Sequence, residues 1–565
     1  MRTVLLIVLV AVLVLTAGCL GSPLGGDDGI DKQAGTDGSD GSDAGGDGTD
    51  GAASGNDGQL GYSVGGASDI NNFRDNVEEG YLPLAADVTA EGAFKEYYFD
   101  TGATERCEEL FCPSYSQAVS ADPLSGEAEQ YLTVGLNSGI EKSEFERDDL
   151  NLVVVVDTSG SMGDPFNSYY YDDDGERVET EERQKMGAAV NAVKTLVGQL
   201  DGPDRVGVVS FNDGARAVAP MQRVDERDMS ELHENVESMS AYGGTNLDAG
   251  MQEAEEMVSE YADDSERETR VIYVTDAMPN QGGTSSEHLG DQLSDHAEDD
   301  IHSTFVGVGV DFNADLVDTI TDTRGANYYS VQSAAQFQER MDEGFDYMVN
   351  PLVFNLSLSV ETEGYKVEQV YGTASDGALD GNIMHVKTLF PSRTEGNRTK
   401  GGVVLLKLND SGTGDAVELQ TSYETGAGED HTTTETVEFA DREPEYFQNN
   451  GIRKAVALSR YVELSQNWIA YERGNIEGES PDAPEGGIES KENPYLGQWE
   501  RQSEDLQVSP AYADRFATLV EYFESEIAAV GDESLQQELD ILDLLIEAGS
   551  VEEQEDSNSV AVTVP

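Results

Sequence analysis

The sequence predicts an α/β protein: a doubly wound (Rossmann-like) domain over residues 149–350, accompanied by an N-terminal domain, a C-terminal β-sandwich and a helical region. Three observations carry this reading. Leu152-Val153-Val154-Val155-Val156 is an unbroken apolar run, the pattern of a strand buried on both faces of a parallel sheet. Similar short runs recur at 206–211, 271–275 and 304–309. Segments of helical periodicity separate them, and strand–helix alternation of this kind builds a parallel sheet with helices on both sides.

In order, a helix is expected at 185–200, with Met186, Val190, Val193 and Val197 at helical spacing. A strand at 206–211 and a shorter one near 217–219 follow, then helices at 229–239 and 246–263 and the strand 271–275. A helix at 286–299 precedes the strand 304–309, and a last helix–strand–helix turn fills 313–349, with Tyr328-Tyr329 in its strand. After Pro351 the pattern becomes strand-like with turn signals, as in Asn355-Leu356-Ser357-Leu358-Ser359-Val360, and predicts a β-sandwich over 351–441. Residues 442–550 read as helical. Ala455, Leu458, Val462, Ser465 and Ile469 line one face and Phe516, Val520, Phe523 and Ile527 another, both core stripes. A Gly/Pro/Glu-rich connection interrupts them at 476–505, and 551–565 is a tail. Upstream, residues 61–148 are globular in composition, with Phe73, Tyr81, Phe94, Tyr97, Tyr98 and Phe99, and form the expected N-terminal α/β domain.

The first 60 residues read as an address and a spacer. Met1-Arg2, an apolar run from Val4 to Leu15 and Thr16-Ala17-Gly18-Cys19 make a secretory signal peptide of residues 1–19. Ala17-Gly18-Cys19 resembles a lipobox, in which Cys19 is lipidated and becomes the mature N-terminus; Thr16 departs from the aliphatic residue preferred there. Residues 20–60 are almost entirely Gly, Asp, Ser, Ala and Thr, too polar to bury a core. Such a linker reaches roughly 35 Å. The expected location is therefore extracytoplasmic, anchored by lipid to the outer face of the cell membrane.

Asp and Glu number 112 against 33 Lys and Arg, a formal charge of −79. That sign and size exclude nucleic-acid binding by bulk attraction. The acid runs through every segment, and no lysine occurs from 195 to 365, a composition suited to molar salt and hence to an extreme halophile, an archaeon. Cys107 and Cys112, five apart, suggest a small disulfide loop outside the cytoplasm; a zinc pair is the alternative, without a second pair of ligands nearby. Asn355, Asn397 and Asn409 stand in glycosylation sequons, which chance alone also explains.

The strand 152–156 runs into Asp157-Thr158-Ser159-Gly160-Ser161. Side chains just past the C-termini of parallel strands face the crevice where ligands bind, so Asp157, Ser159 and Ser161 can turn three oxygens to one point. Asp276 stands at the same end of the strand 271–275, and Thr245 follows Tyr242-Gly243-Gly244 at a helix start. All five are hard oxygen ligands that suit Mg²⁺, or Mn²⁺ or Ca²⁺, rather than zinc. Two carboxylates neutralise a divalent ion, which leaves it able to accept one more anionic oxygen. A catalytic metal would want a base and a held water, and no His lies near these motifs.

These segments closely resemble the metal-ion-dependent adhesion site (MIDAS) of von Willebrand factor type A (VWA) domains. The family's Asp-x-Ser-x-Ser matches Asp157, Ser159 and Ser161, its Thr matches Thr245 and its second Asp matches Asp276; Ala277 stands where the family often has Gly. The resemblance implies Mg²⁺ held directly or through water, with a partner protein's Glu or Asp completing its sphere. Residues 166–183, including Tyr169-Tyr170-Tyr171-Asp172-Asp173-Asp174, look inserted beside the site and either shape partner choice or form a solvated loop. Asp69 to Pro83 is similar to a domain preceding the VWA domain in a group of predicted bacterial lipoproteins. The expectation is a non-enzymatic, lipid-anchored cell-surface protein that binds partners through the metal. The alternatives are a metal-dependent hydrolase using the same crevice and a structural envelope protein. A hydrolase lacks its signatures: Ser159 replaces the second Asp of a phosphatase Asp-x-Asp, and Gly160-Ser161-Met162-Gly163 is no nucleophile elbow.

Overall fold

The structure is a computed structural model. It describes residues 58–558 apart from 166–168, 172–176, 180–183, 263–266, 277–280, 310–313, 332, 343, 362–364, 374–382, 411–415, 439–441 and 479–503, all within the compact unit Ala53–Pro565. The signal peptide with Cys19, the linker, Ala277 and the Asp172–Asp174 run lie outside the described residues. Among those described, no helix is long and apolar enough to cross a membrane.

The α/β sheet has seven strands, in the order Ala215–Arg223, Arg205–Phe211, Asp149–Asp157, Arg267–Thr275, Ile301–Val308, Asn327–Val331 and Gly66–Ala67. All neighbours are parallel except the first pair. The apolar run divides as its pleat requires. Leu152, Val154 and Val156 join the core under the helices Lys185–Gly198, Met229–Glu237 and Ala334–Met341. Val153 and Val155 join the opposite core, under Leu247–Val258, Ser286–Glu298 and Ala314–Thr321. Strand order reverses at Asp149–Asp157, whose flanking strands are reached by crossovers in opposite directions. A crevice opens there, at the strands' C-terminal ends.

The boundary expected between an N-terminal domain and a sandwich does not exist. Gln59–Val64, Phe111–Ala121 and Ala128–Glu141 belong to the same ten-stranded sheet as the strands after Pro351. This sheet folds over on itself around one core: Phe111 packs edge-on to Tyr423 at 5.5 Å, and the Tyr115 hydroxyl lies 3.0 Å from that of Thr421. Gly66–Ala67 instead adds the seventh strand to the α/β sheet. The helices Asn71–Glu79 and Ala90–Glu96 join the C-terminal helices Asn450–Gly478, Pro510–Val530 and Gln536–Asn558 in a further core around Trp468 and Phe516. The last helix runs past the end expected at 550. Pairing between segments hundreds of residues apart leaves no local sequence signal, which is why composition merged these strands and helices into one domain.

Cys107 and Cys112 are joined in a disulfide, which removes the zinc alternative. Asn355 has its side-chain nitrogen 2.8 Å from Glu424, whereas Asn409 is exposed and Asn397 half-buried.

The helical core contains a fully buried ion pair. Arg74 donates to Glu538, which also accepts from the Tyr97 hydroxyl at 2.6 Å, while Asn71 takes a second guanidinium nitrogen at 2.8 Å. Removing one partner strands the other charge away from water. Glu538→Ala is therefore expected to destabilise the fold by about 3–5 kcal/mol in denaturant titrations; a change below about 1 kcal/mol would mean that water reaches Arg74.

Candidate functional site

Asp157 ends its strand fully buried. Its carboxylate accepts from the Ser159 amide at 2.7 Å and from the Thr275 hydroxyl at 2.6 Å. The second contact follows from register: Val274 pairs with Val156, so Thr275 lies beside Asp157 and Asp276 emerges one step further along. The Ser159 and Ser161 hydroxyls are 3.0 Å apart, and Ser161 donates to Asp276 at 2.9 Å. The three Asp-x-Ser-x-Ser positions and the distant Asp276 thus meet at one point.

Thr245 is brought to the same rim by its loop. The Gly243 carbonyl accepts from the Gly160 amide at 3.1 Å, and the Gly244 amide donates to Asp213 at 2.9 Å. The Thr245 carbonyl accepts from the Gln281 amide at 3.1 Å. Gly243 has φ +85°, a conformation that L side chains rarely adopt, so the tight path needs glycine there. Asn246 then caps the helix Leu247–Val258 by accepting from the Ala249 amide at 3.1 Å.

Sequence reasoning missed Lys185. This first residue of the helix Lys185–Gly198 is buried and donates to the second oxygen of Asp276 at 3.1 Å. Its stem passes beneath Gly309, where a Cβ would lie 3.0 Å from it. One signal was available: only Lys185 and Lys194 occur between residues 143 and 365, and a scarce residue type beside the motif is informative. Of the inserted stretch, Tyr169–Tyr171 and Arg177–Glu179 pair as a hairpin.

The donor set fits a divalent cation. Adjacent oxygens around an octahedral ion at about 2.1 Å stand about 3.0 Å apart, close to the Ser159–Ser161 and Ser161–Asp276 separations. Ca²⁺ at about 2.4 Å, with five ligands in its equatorial plane, sets neighbours about 2.8 Å apart, so the spacing suits either ion. Among the described residues no cluster of three or more His, Cys, Asp or Glu is arranged to hold a metal, so a site here depends on hydroxyls. With Lys185 counted, two carboxylates, one ammonium and a divalent ion sum to +1, which favours a further anionic ligand.

Burial, and then the neighbouring Asp276 carboxylate, push the Asp157 carboxyl up to about 7. Burial also raises Asp276, while Lys185 and Ser161 pull it back. A raised carboxyl keeps its proton in the fold up to about pH 7 but loses it near pH 4 when unfolded. The ion-free fold therefore loses stability as pH rises through that window. Cation binding, which needs ionised Asp157, tightens over the same window and levels off above about pH 7. Calorimetric Mg²⁺ titrations from pH 5 to 8 check this, and a flat profile would contradict it. Lys185→Met removes a competing positive charge and is expected to tighten Mg²⁺ roughly tenfold in the same calorimeter; weaker Mg²⁺ would mean that the lysine chiefly holds Asp276 in place.

Residues 152–279 match the family model of the von Willebrand factor type A domain, so the chain carries a VWA domain. An uncharacterised protein of Synechocystis sp. is 25% identical over 214 residues, which is 38% of this chain and 44% of that protein. The chain thus spans less than half the length of that relative. A solved structure, von Willebrand factor type A from Catenulispora acidiphila, is 15% identical with a TM-score of 0.44 and covers 67% of this chain and 84% of its own. Another, proximal thread matrix protein 1 from the mussel byssus with a zinc-occupied MIDAS motif, is 14% identical with a TM-score of 0.28, covering 37% and 49%.

Proposed function

We propose that this chain is a non-enzymatic, cell-surface binding protein that captures an acidic group of a partner protein through Mg²⁺ held by Asp157, Ser159, Ser161, Thr245 and Asp276. The observation carrying the proposal is the run of oxygens about 3 Å apart at the switch point of the VWA sheet. VWA domains bind a divalent ion at such a site and typically bind proteins through it, and the buried Lys185 leaves the loaded site positively charged. Lipidation at Cys19 would hold the protein on the outer face of the membrane. A halophilic archaeal source accounts for a charge of −79 without a nucleic-acid or anionic-lipid partner.

Capture from intact cells by cross-linking, with and without chelator, tests the reading. The expected result is a partner recovered with Mg²⁺ and lost both on chelation and in Asp157→Ala. Replacing Mg²⁺ with Mn²⁺, Ca²⁺ or Zn²⁺ in the same capture ranks the metals. Recovery indifferent to chelator and to Asp157→Ala would overturn the proposal. Ester or phosphate turnover abolished by Asp157→Ala would replace it with a hydrolase.

A further inference from the structure

A second site is built where the α/β sheet, the folded-over sheet and the N-terminal helices meet. A cavity of about 130 Å³ lies there. Lys95 lines it from the helix Ala90–Glu96, Arg340 from Ala334–Met341, and Arg393 and Lys400 from the two ends of the segment 393–400, with the Lys400 ammonium also 5.9 Å from the Tyr98 ring. Glu96 is the one carboxylate in the lining, and it also faces Arg74 at 4.0 Å. Four cations against one acid is the reverse of a chain with 112 acidic and 33 basic residues.

Two of these cations close no salt bridge among the described residues. The half-buried Lys95 ammonium has only neutral acceptors, the Gly66 carbonyl at 3.4 Å and the Ser68 hydroxyl at 3.3 Å. The Arg340 guanidinium lies over the Tyr329 ring at 4.6 Å. Arg393 similarly rests over Tyr347 at 5.7 Å. Burial, with Arg340 adding repulsion, drives the Lys95 ammonium down to about 7 against the pull of Glu91 and Asp69. In so acidic a chain a cation readily finds a carboxylate; Lys95 and Arg340 line a cavity instead.

We infer that this cavity binds a small divalent oxyanion that ties the three parts of the fold together. About 130 Å³ is roughly four water volumes, room for a phosphate, a sulfate or a short dicarboxylate. Salt screens attraction at the open surface, and less so at half-buried groups such as Lys95 and Arg340. The site is separate from the metal ligands and does not depend on them.

Isothermal calorimetry and thermal melts of the full chain, at constant ionic strength, test this with inorganic phosphate, sulfate and succinate. The expected result is saturable heat with at least one of them and a melting temperature raised by about 1 °C at ten times Kd. Phosphate and sulfate without succinate would assign a tetrahedral anion, and succinate alone a dicarboxylate. Lys95→Met and Arg340→Gln are each expected to weaken binding at least tenfold, while Lys194→Met, paired with Glu237 elsewhere on the surface, binds as wild type. The inference is overturned if the wild-type chain takes up none of the three anions, or if both cavity variants bind them unchanged. Should Lys95→Met fail to fold, wild type against Arg340→Gln decides alone.

Discussion

Everything at the candidate metal site depends on the register between two parallel strands. Val156 opposite Val274 places Asp157 beside Thr275 and lets Asp276 emerge one residue beyond, next to Ser161. A one-residue slip would turn every side chain of either strand to the other face and separate the carboxylates. The slip is prevented from both sides at once, because alternate valines of Asp149–Asp157 fill two different cores. The same burial that makes the sheet stable therefore fixes the carboxylate spacing. It also desolvates Asp157 until only a cation, or a proton, makes its charge tolerable.

Charge is distributed in this molecule on two scales. Over the surface, acid is spread everywhere and single exposed pairs count for little. In enclosed places the cations have assigned positions: Lys185 on Asp276, Arg74 on Glu538, and Arg270 held by Glu268, Thr304 and the carbonyl oxygens of Val349 and Gly325. Arg270 also lies 5.5 Å from the Phe390 ring and so docks the α/β sheet onto its neighbour. A sequence with few basic residues places several of them where their loss would be felt.

The α/β core was legible because its signals are local. A doubly buried strand reads as consecutive valines, and three oxygen ligands fall within five residues of its end. Asp276 and Thr245 were legible because each sits at a recognisable strand end or helix start. Lys185 was not, since its reach to Asp276 crosses 91 residues of chain and depends on how a helix packs. The folded-over sheet was half legible: its strands after Pro351 show their pattern, but Gln59–Val64 pairs with Ile383–Ser392, and no window of sequence contains both. The cationic cavity was invisible for the same reason, its four charges coming from three separate stretches of chain.

The threading of the first hundred described residues constrains how this chain can come to be folded. Gln59–Val64 waits for a strand ending at Ser392, and Arg74 waits for Glu538, 464 positions downstream. While a ribosome is still at work, the segment from about Asp149 to Val349 already holds its own sheet, missing just the two-residue strip Gly66–Ala67. Until Ile383–Ser392 has been made, Gln59–Val64 has only Ala128–Glu141 to pair with, and Arg74 lacks Glu538 until the last helix is complete. Closure of such distant pairings is slow, so the α/β sheet can be complete long before the folded-over sheet closes.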